Sequence, residues 1–257
     1  MNVIQGRMLE QILEISRAAG AAILEVYGGP IEVRGKADAS PVTEADERAE
    51  ALILDRLQAL FPKIPVISEE AAAQGFLPSV RDRFFLVDPL DGTREFIGRN
   101  GEFTVNIALI EEGVPTLGVV LAPALDRVFG GFSKGGAFVE EAGRRRAIAS
   151  RRPPPGGLTV VSSRSHGDRE ALEAFLAGRP VARSAYAGSS LKFCLVAAGE
   201  ADLYPRLGRT MEWDTAAGHA VLAAAGGSVR DLSGSPLRYG KAGYENPHFV
   251  AEGWIST

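Results

Sequence analysis

Two stretches near the start of the chain carry apolar residues at helical spacing. From Met8 to Val26 apolar side chains return every three or four positions, and Gly28 stops the pattern. A second such stretch begins at Thr43 and is ended by Pro62, which cannot continue a helix. Five apolar segments of strand length follow, namely Ile64 to Ser68, Phe84 to Asp88, Phe103 to Ile110, Thr116 to Leu121 and Val128 to Phe132. This order predicts two helices followed by a sheet, with a hairpin turn at Glu112 and Gly113.

The rest of the chain alternates between the two patterns, as in an α/β layer arrangement. Strands are predicted at Leu158 to Ser162, Ala201 to Tyr204 and Ser228 to Leu232, and helices at Asp168 to Leu176, Ser189 to Ala198 and Thr215 to Ala225. The stretch from Glu140 to Gly157 is charged and then rich in proline and glycine, so it is the predicted boundary between halves. We interpret its arginines as a solvated connector rather than a polyanion site. The predicted halves are residues 1–145, an α+β unit, and residues 146–257, an α/β unit.

Composition narrows the class of protein. Of 257 residues, 46% are hydrophobic and 23% charged, which is ordinary for a globular chain. A net charge of −4 argues against nucleic-acid binding. Cys194 is the only cysteine, which excludes an intrachain disulfide, and its apolar surroundings predict a buried structural thiol. No apolar run has the length of a membrane span, so we expect a cytoplasmic protein, with peripheral association with the inner membrane left open.

Acidic residues stand where apolar strands end. The segment from Phe84 to Val87 runs into Asp88 and, after a proline, Asp91. Two carboxylates about 4 Å apart repel by roughly 4 kcal/mol at an effective dielectric near 20, and a cation removes that penalty. Hard oxygen ligands of this kind suit magnesium. The alternative is that both aspartates only shape a turn.

The same theme occurs twice more. Glu69 follows the strand from Ile64 to Ser68, and Asp214 stands where a helix begins, as its predicted N-cap. The alternative for Glu69 is an exposed surface residue without a ligand role, and the alternative for Asp214 is helix capping alone. Gly92 and Thr93 offer backbone N–H groups at a helix start, which favours binding of a phosphate. Thr43 and Asp46 have the spacing of a capping box.

Four ordered motifs resemble the signatures of the inositol monophosphatase family. They are Pro41-Val42-Thr43-Glu44-Ala45-Asp46, Ser68-Glu69-Glu70, Asp88-Pro89-Leu90-Asp91-Gly92-Thr93 and Trp213-Asp214-Thr215-Ala216-Ala217-Gly218. The resemblance implies an α+β fold layered as an αβαβα sandwich. It also implies a lithium-sensitive, magnesium-dependent phosphatase that acts on a small phosphorylated metabolite.

The resemblance further implies a role for each acid. One magnesium would bind Glu69, Asp88 and the Leu90 carbonyl and activate the attacking water, helped by Thr93 hydrogen-bonded to Asp46. A second would bind Asp88, Asp91 and Asp214 and stabilise the departing oxygen, and a third ion near Glu69 is left open. The catalytic set is therefore Asp46, Glu69 and Thr93.

Within the family, the stretch from Arg94 to Leu109 is similar to the bacterial 3′(2′),5′-bisphosphate nucleotidases. By this resemblance the substrate is adenosine 3′,5′-bisphosphate, which is cleaved to AMP and phosphate as part of sulfur assimilation, with 3′-phosphoadenylyl sulfate as a second substrate. The implied substrate-binding residues are Gly92, Thr93, His166, Ser189, Lys192, Arg206 and Asp214. An inositol or histidinol monophosphatase is the alternative, and a monomer and a homodimer both remain open.

Overall fold

The computed structural model describes residues 3–35, 41–163 and 169–253, and it begins with two long helices. α1 spans Val3–Tyr27 and α2 spans Glu44–Leu60, with a short antiparallel ribbon between them, β1 (Val33–Gly35) and β2 (Pro41–Thr43). α1 buries one face through residues that include Ile12, Leu13 and Ile23. Both predicted helices are confirmed.

A seven-stranded sheet follows, in which the strands lie side by side in chain order. Its strands are β3 (Val66–Ser68), β4 (Arg83–Asp91), β5 (Thr104–Glu111), β6 (Val114–Ala122), β7 (Arg127–Phe132), β8 (Gly136–Glu141) and β9 (Arg144–Ile148). Two short helices interrupt them, α3 (Glu69–Ala73) and α4 (Thr93–Ile97). β3 and β4 are parallel and every later pair is antiparallel. The predicted hairpin is confirmed, because Glu112 and Gly113 join β5 to β6 with positive φ angles of 53° and 74°.

The second sheet has five strands in the order β11-β10-β12-β14-β13. These strands are β10 (Leu158–Ser163), β11 (Val181–Ala187), β12 (Leu203–Arg206), β13 (Ser228–Asp231) and β14 (Phe249–Glu252). The helices between them are α5 (Arg169–Leu176), α6 (Leu191–Ala197) and α7 (Glu212–Ala224). None of the helices in the described part of the chain is both long and apolar enough to cross a bilayer.

The strands of the large sheet alternate between two apolar cores. On β4, Phe85 and Val87 pack with α1 and α2, whereas Phe84 and Leu86 face a second core that contains α6, α7 and residues of the small sheet. α7 lies directly on β6, where a Cβ on Gly118 would stand 2.4 Å from the Ala217 carbonyl oxygen. The two cores and the two sheets confirm the predicted layered αβαβα fold.

The structure corrects the interpretation of the arginine-rich stretch. It is not a connector at its start, because β8 and β9 form an edge hairpin in which Arg145 pairs with Glu10 and Glu140. Arg151 then pairs with Asp202, whose side chain is fully buried. The predicted boundary after residue 145 therefore falls inside β9, and the division into halves stays a prediction.

Candidate active site

Three carboxylates that are far apart in the sequence converge at one end of the large sheet. Ligand oxygens of Glu69, Asp88 and Asp214 lie within 4.8 Å of one another. Glu69 is brought beside Asp88 because β3 runs parallel to β4, with Ser68 next to Val87. Asp214 comes from the first turn of α7, which lies across the same sheet.

Asp214 reaches this place differently from the prediction. It is not the N-cap of α7, because the helix begins at Glu212. Its carboxylate accepts a hydrogen bond of 2.8 Å from the Met211 N–H and so stabilises the helix start from inside the first turn. The start of α7 was predicted too late because Glu212 and Trp213 fit the helical pattern as well as the residues after them.

Asp91 lies beside this group, close enough for its charge to interact with that of Glu69. The β4–β5 ladder shifts register between Asp88 and Asp91, which places Asp91 opposite Thr104. One carboxylate oxygen of Asp91 accepts from Asn106 Nδ2 at 3.2 Å and Thr104 Oγ1 at 3.4 Å. Asp91 lines the same cleft as Glu69 and Asp214, so all four predicted acidic ligands belong to one region.

Burial and mutual repulsion raise the pKa values of two of these acids, Asp91 and Asp214. Burial raises the pKa of Asp91, and the nearby charge of Glu69 raises it further against the opposing effect of Lys192. The pKa of Asp214 is raised well above its usual value by burial, and then by the charges of Asp91 and Glu69. The donors are all carboxylate oxygens, the hard ligands that magnesium prefers. The cluster therefore fits a divalent cation.

Asp46 combines helix capping with a contact to the predicted catalytic hydroxyl. Its Oδ2 accepts from the Thr43 N–H at 2.8 Å and from Thr43 Oγ1 at 2.6 Å, which is the predicted capping box. Its Oδ1 accepts from Thr93 Oγ1 at 3.3 Å. The hydroxyl of Thr93 also lies 3.4 Å from the Leu90 carbonyl oxygen. Because each oxygen has its own partner, Asp46 serves both purposes at once.

Gly92 is required where β4 passes into α4. Its φ is 89°, and a Cβ there would stand 2.2 Å from Ser189 Oγ. Ser189 Oγ is directed at the backbone oxygens of Asp91 and Glu102, at 2.7 and 2.8 Å. A hydroxyl has one proton, so in this geometry Ser189 donates to one of these two backbone oxygens, and its binding of a substrate phosphate stays a prediction.

The cleft, whose volume is about 580 Å³, is also lined by cationic and aromatic side chains. Lys192 Nζ donates to the carbonyl oxygens of Ser189 and Ala187 at 2.5 and 3.3 Å. Burial lowers the pKa of Lys192 to about 8, against the opposing charge of Asp91. Arg206 also lines the cleft and donates to the Arg209 carbonyl at 2.8 Å.

Several residues of the site escaped the sequence argument. Tyr244 and Trp213 line the cleft with ring centroids 6.2 Å apart, and Asn106 and Ser190 connect the acids from behind. The signal for Asn106 was a polar amide in the apolar run of β5. His166, predicted to bind substrate, lies outside the described residues.

The fold and this cleft define a class, a layered α/β protein whose cleft combines an acidic cluster that fits a divalent cation with cationic side chains. The chain belongs to the inositol monophosphatase family, whose model matches residues 5–255. This confirms the resemblance stated from the motifs.

Individual relatives narrow the comparison. The chain is 51% identical over 247 residues to the 3′(2′),5′-bisphosphate nucleotidase CysQ of Escherichia coli strain K12, covering 94% of this chain and 98% of the relative. The crystal structure of CysQ from Bacteroides thetaiotaomicron superposes with a TM-score of 0.81 at 36% identity, covering 98% of both chains. The IMPase of Thermotoga maritima gives a TM-score of 0.79 at 27% identity, covering 96% of this chain and 92% of that protein.

Proposed function

We propose that this chain is a 3′(2′),5′-bisphosphate nucleotidase, which removes the 3′-phosphate of adenosine 3′,5′-bisphosphate to give AMP and phosphate. The observation that carries the proposal is the mixed charge of the cleft, which is lined both by acids of the cluster and by the cations Lys192 and Arg206. Such a cleft suits a substrate with two phosphates, one that is cleaved and one that is held. The 51% identity to a nucleotidase over almost the whole chain supports the same substrate class.

Magnesium is the cofactor we propose. Glu69, Asp88 and the Leu90 carbonyl would hold one ion and Asp88, Asp91 and Asp214 a second, with room for a third left open. In these positions magnesium would supply a lowered pKa for an attacking water and stabilisation of charge on the departing oxygen. The close approach of Glu69, Asp88 and Asp214 supports these sets, because without a cation their charges repel.

Protein groups orient the water and the phosphate. Thr93 Oγ1 donates to Asp46 and can therefore accept a hydrogen bond from a water beside it. When that water gives its proton to Thr93 Oγ1, the hydroxyl proton of Thr93 would pass to Asp46. Asp46 is almost fully buried, and its hydrogen bond from Thr43 holds it in the position that receives the Thr93 hydroxyl. The backbone N–H groups of Gly92 and Thr93 are the proposed partners of the cleaved phosphate.

The second phosphate is assigned to Lys192 and Arg206. An ammonium has three N–H donors, and Lys192 uses two of them on backbone carbonyls, so the third is available to an anion. A phosphate beside Lys192 would favour its charged form and counter the effect of burial. Arg206 offers a planar group suited to the same anion.

The proposed setting is cytoplasmic sulfur assimilation, with 3′-phosphoadenylyl sulfate as a second substrate and inhibition by lithium. An inositol or histidinol monophosphatase is not favoured, because a monophosphate gives Lys192 and Arg206 nothing to hold, and because the nucleotidase relative is 51% identical whereas the IMPase neighbour is 27% identical.

A phosphate-release panel tests the proposal. Adenosine 3′,5′-bisphosphate, inositol 1-phosphate and histidinol phosphate are compared with and without magnesium. We expect fast release only from the bisphosphate and only with magnesium. Equal turnover of inositol 1-phosphate would contradict the substrate, and release in EDTA would contradict the cofactor.

A lysine substitution tests the second-phosphate site. Lys192→Met should raise KM for the bisphosphate about 10–100-fold, by loss of a charge-assisted contact, and leave the slow turnover of a monophosphate unchanged. Lys63→Met is the matched control, because Lys63 is exposed beyond the end of α2. An unchanged KM for Lys192→Met would show that the held phosphate lies elsewhere.

A further inference from the structure

Two neutral side chains behind the cleft connect the acids that project into it. Asn106 on β5 donates from Nδ2 to Asp91 Oδ2 at 3.2 Å and to Ser190 Oγ at 3.0 Å. Ser190 Oγ in turn donates to the Asp214 carbonyl oxygen at 2.6 Å. A continuous chain of hydrogen bonds therefore runs from the carboxylate of Asp91 to the backbone of Asp214.

The direction of these bonds is determined by the number of protons. The one hydroxyl proton of Ser190 is given to the Asp214 carbonyl, so Ser190 Oγ can only accept from Asn106. Asp91 is also an acceptor, so both neighbours of Asn106 require its NH₂ group. Turning the amide over would point its oxygen at two acceptors. The chemistry of the bridge is thus specific to an amide at position 106.

The bridge joins elements from different parts of the fold. Asn106 stands opposite Asp88 in the β4–β5 ladder and reaches past it to Asp91, whereas Ser190 lies at the start of α6 and Asp214 in α7. Asn106 is 0% exposed and Ser190 1% exposed, so water does not compete for these bonds. This bridge, formed by Asn106 and Ser190, therefore contacts Asp91 and Asp214, and Asn106 lies opposite Asp88.

We propose that Asn106 and Ser190 are positioning residues of the divalent-cation site, which hold Asp91 and Asp214 at the spacing that the cations require. The inference rests on the proposed function, because it assumes that the acids bind cations. Repulsion among the acids favours their separation when no cation is bound. A hydrogen-bonded bridge through β5 and α6 opposes that separation and keeps the site ready for binding.

Removing one oxygen tests the bridge. We compare the wild type, Ser190→Ala, Asn106→Ala and the double variant by titrating magnesium into the metal-free protein in a calorimeter, and by following the magnesium-dependent rise in Tm. Partners behind metal ligands typically contribute 10–100-fold to affinity. We expect magnesium binding about 10-fold weaker in Ser190→Ala, and the double variant no weaker than the worse single variant, because both break one chain of bonds.

A buried serine elsewhere gives the matched control. Ser16 in α1 is fully buried and its hydroxyl donates to the Leu13 carbonyl at 2.9 Å. Ser16→Ala should lose as much Tm in EDTA as Ser190→Ala and bind magnesium like the wild type. With saturating magnesium, KM of Ser190→Ala for the bisphosphate should stay within twofold of the wild type, because the bridge does not contact the substrate.

The outcomes separate the two proposals. Magnesium affinity within twofold of the wild type in both folded single variants overturns the bridge and leaves the proposed function intact. If Asn106→Ala does not fold, Ser190→Ala and its near-isostere Ser190→Cys decide the question alone. A wild type that binds no magnesium overturns the proposed function itself.

Discussion

Replacing Asp88 by asparagine separates two consequences of the acidic cluster, cation binding and mutual repulsion. Asp88 is 1% exposed, and its ligand oxygen lies within 4.8 Å of those of Glu69 and Asp214. Asparagine has the same shape and keeps an oxygen for the Leu90 N–H, which Asp88 Oδ1 accepts at 3.0 Å. Its amide can donate to the neighbouring carboxylates. We therefore expect an intact fold, loss of turnover and a more stable metal-free protein.

The size of the stabilisation follows from the distances. Each pair of ionised carboxylates at 4.8 Å repels by about 3.5 kcal/mol at an effective dielectric near 20. Asp88 takes part in two of the three pairs, so up to about 7 kcal/mol disappears with its charge. The wild type can also relieve the repulsion by protonating one acid, which costs about 5 kcal/mol at pH about 7.5. The repulsion that the wild type retains therefore does not exceed about 5 kcal/mol. We expect a gain of about 2–5 kcal/mol, or about 5–15 °C in Tm.

Thermal unfolding in EDTA across a range of pH measures this gain. The raised pKa of Asp214 means that the folded protein holds a proton which the unfolded chain has already lost. Stability from this group is present at low pH and is lost as the pH rises from about 4 through the raised folded pKa. Asp88 repels its neighbours only while they are ionised, so the Tm advantage of Asp88→Asn should grow with pH. In excess magnesium the order should reverse, because the wild type alone gains the full binding energy.

Asp55→Asn is the control, since Asp55 is an exposed carboxylate on α2 away from the cluster. Its effect should stay within about 0.5 kcal/mol. Equal Tm values for the two variants in EDTA at every pH would refute the repulsion. A magnesium-dependent rise in Tm that survives in Asp88→Asn would refute its assignment as a shared ligand.

Three further predictions concern single side chains. Thr93→Val removes the hydroxyl that donates to Asp46, so kcat should fall about 10²–10⁴-fold at nearly constant Tm, and a fall of less than twofold would contradict the proton path. Gly92→Ala places a Cβ 2.2 Å from Ser189 Oγ, so thermal unfolding should report a loss of about 1–3 kcal/mol together with lower activity. Cys194 is fully buried and burial raises the pKa of its thiol, so a thiol reagent should label the denatured chain only, and fast labelling of native protein would disprove its burial.

The parts of the fold that the sequence predicted are those with long, regular apolar patterns. α1, α2 and the strands from β4 to β7 each bury a continuous face, so their periodicity is visible without knowledge of the fold. The acidic cluster was also predictable, because Asp88 and Asp91 end a buried strand and Glu69 follows another. Strand ends bring such residues to one edge of a sheet.

Two of the missed strands lack this signal. β9 exposes four of its five side chains, and β11 leaves most of its residues in solvent, so neither shows an alternation of apolar and polar positions. Their pairing depends on neighbouring strands that supply the hydrogen bonds. The Asn106–Ser190 bond likewise connects residues 84 positions apart, which no local pattern records.

The start of α6 carries two side chains that lie near the acids, Ser190 and Lys192. Ser190 contacts Asn106 and the Asp214 backbone, and Lys192 lies 5.4 Å from the ring of Tyr204, which lines the cleft. α6 packs tightly on α7, where a Cβ on Gly218 would stand 2.7 Å from Phe193. Because one turn carries both side chains, the backbone at the start of α6 determines where Lys192 lies relative to the acids, and in the proposed function it would thereby set the spacing between the cleaved and the held phosphate.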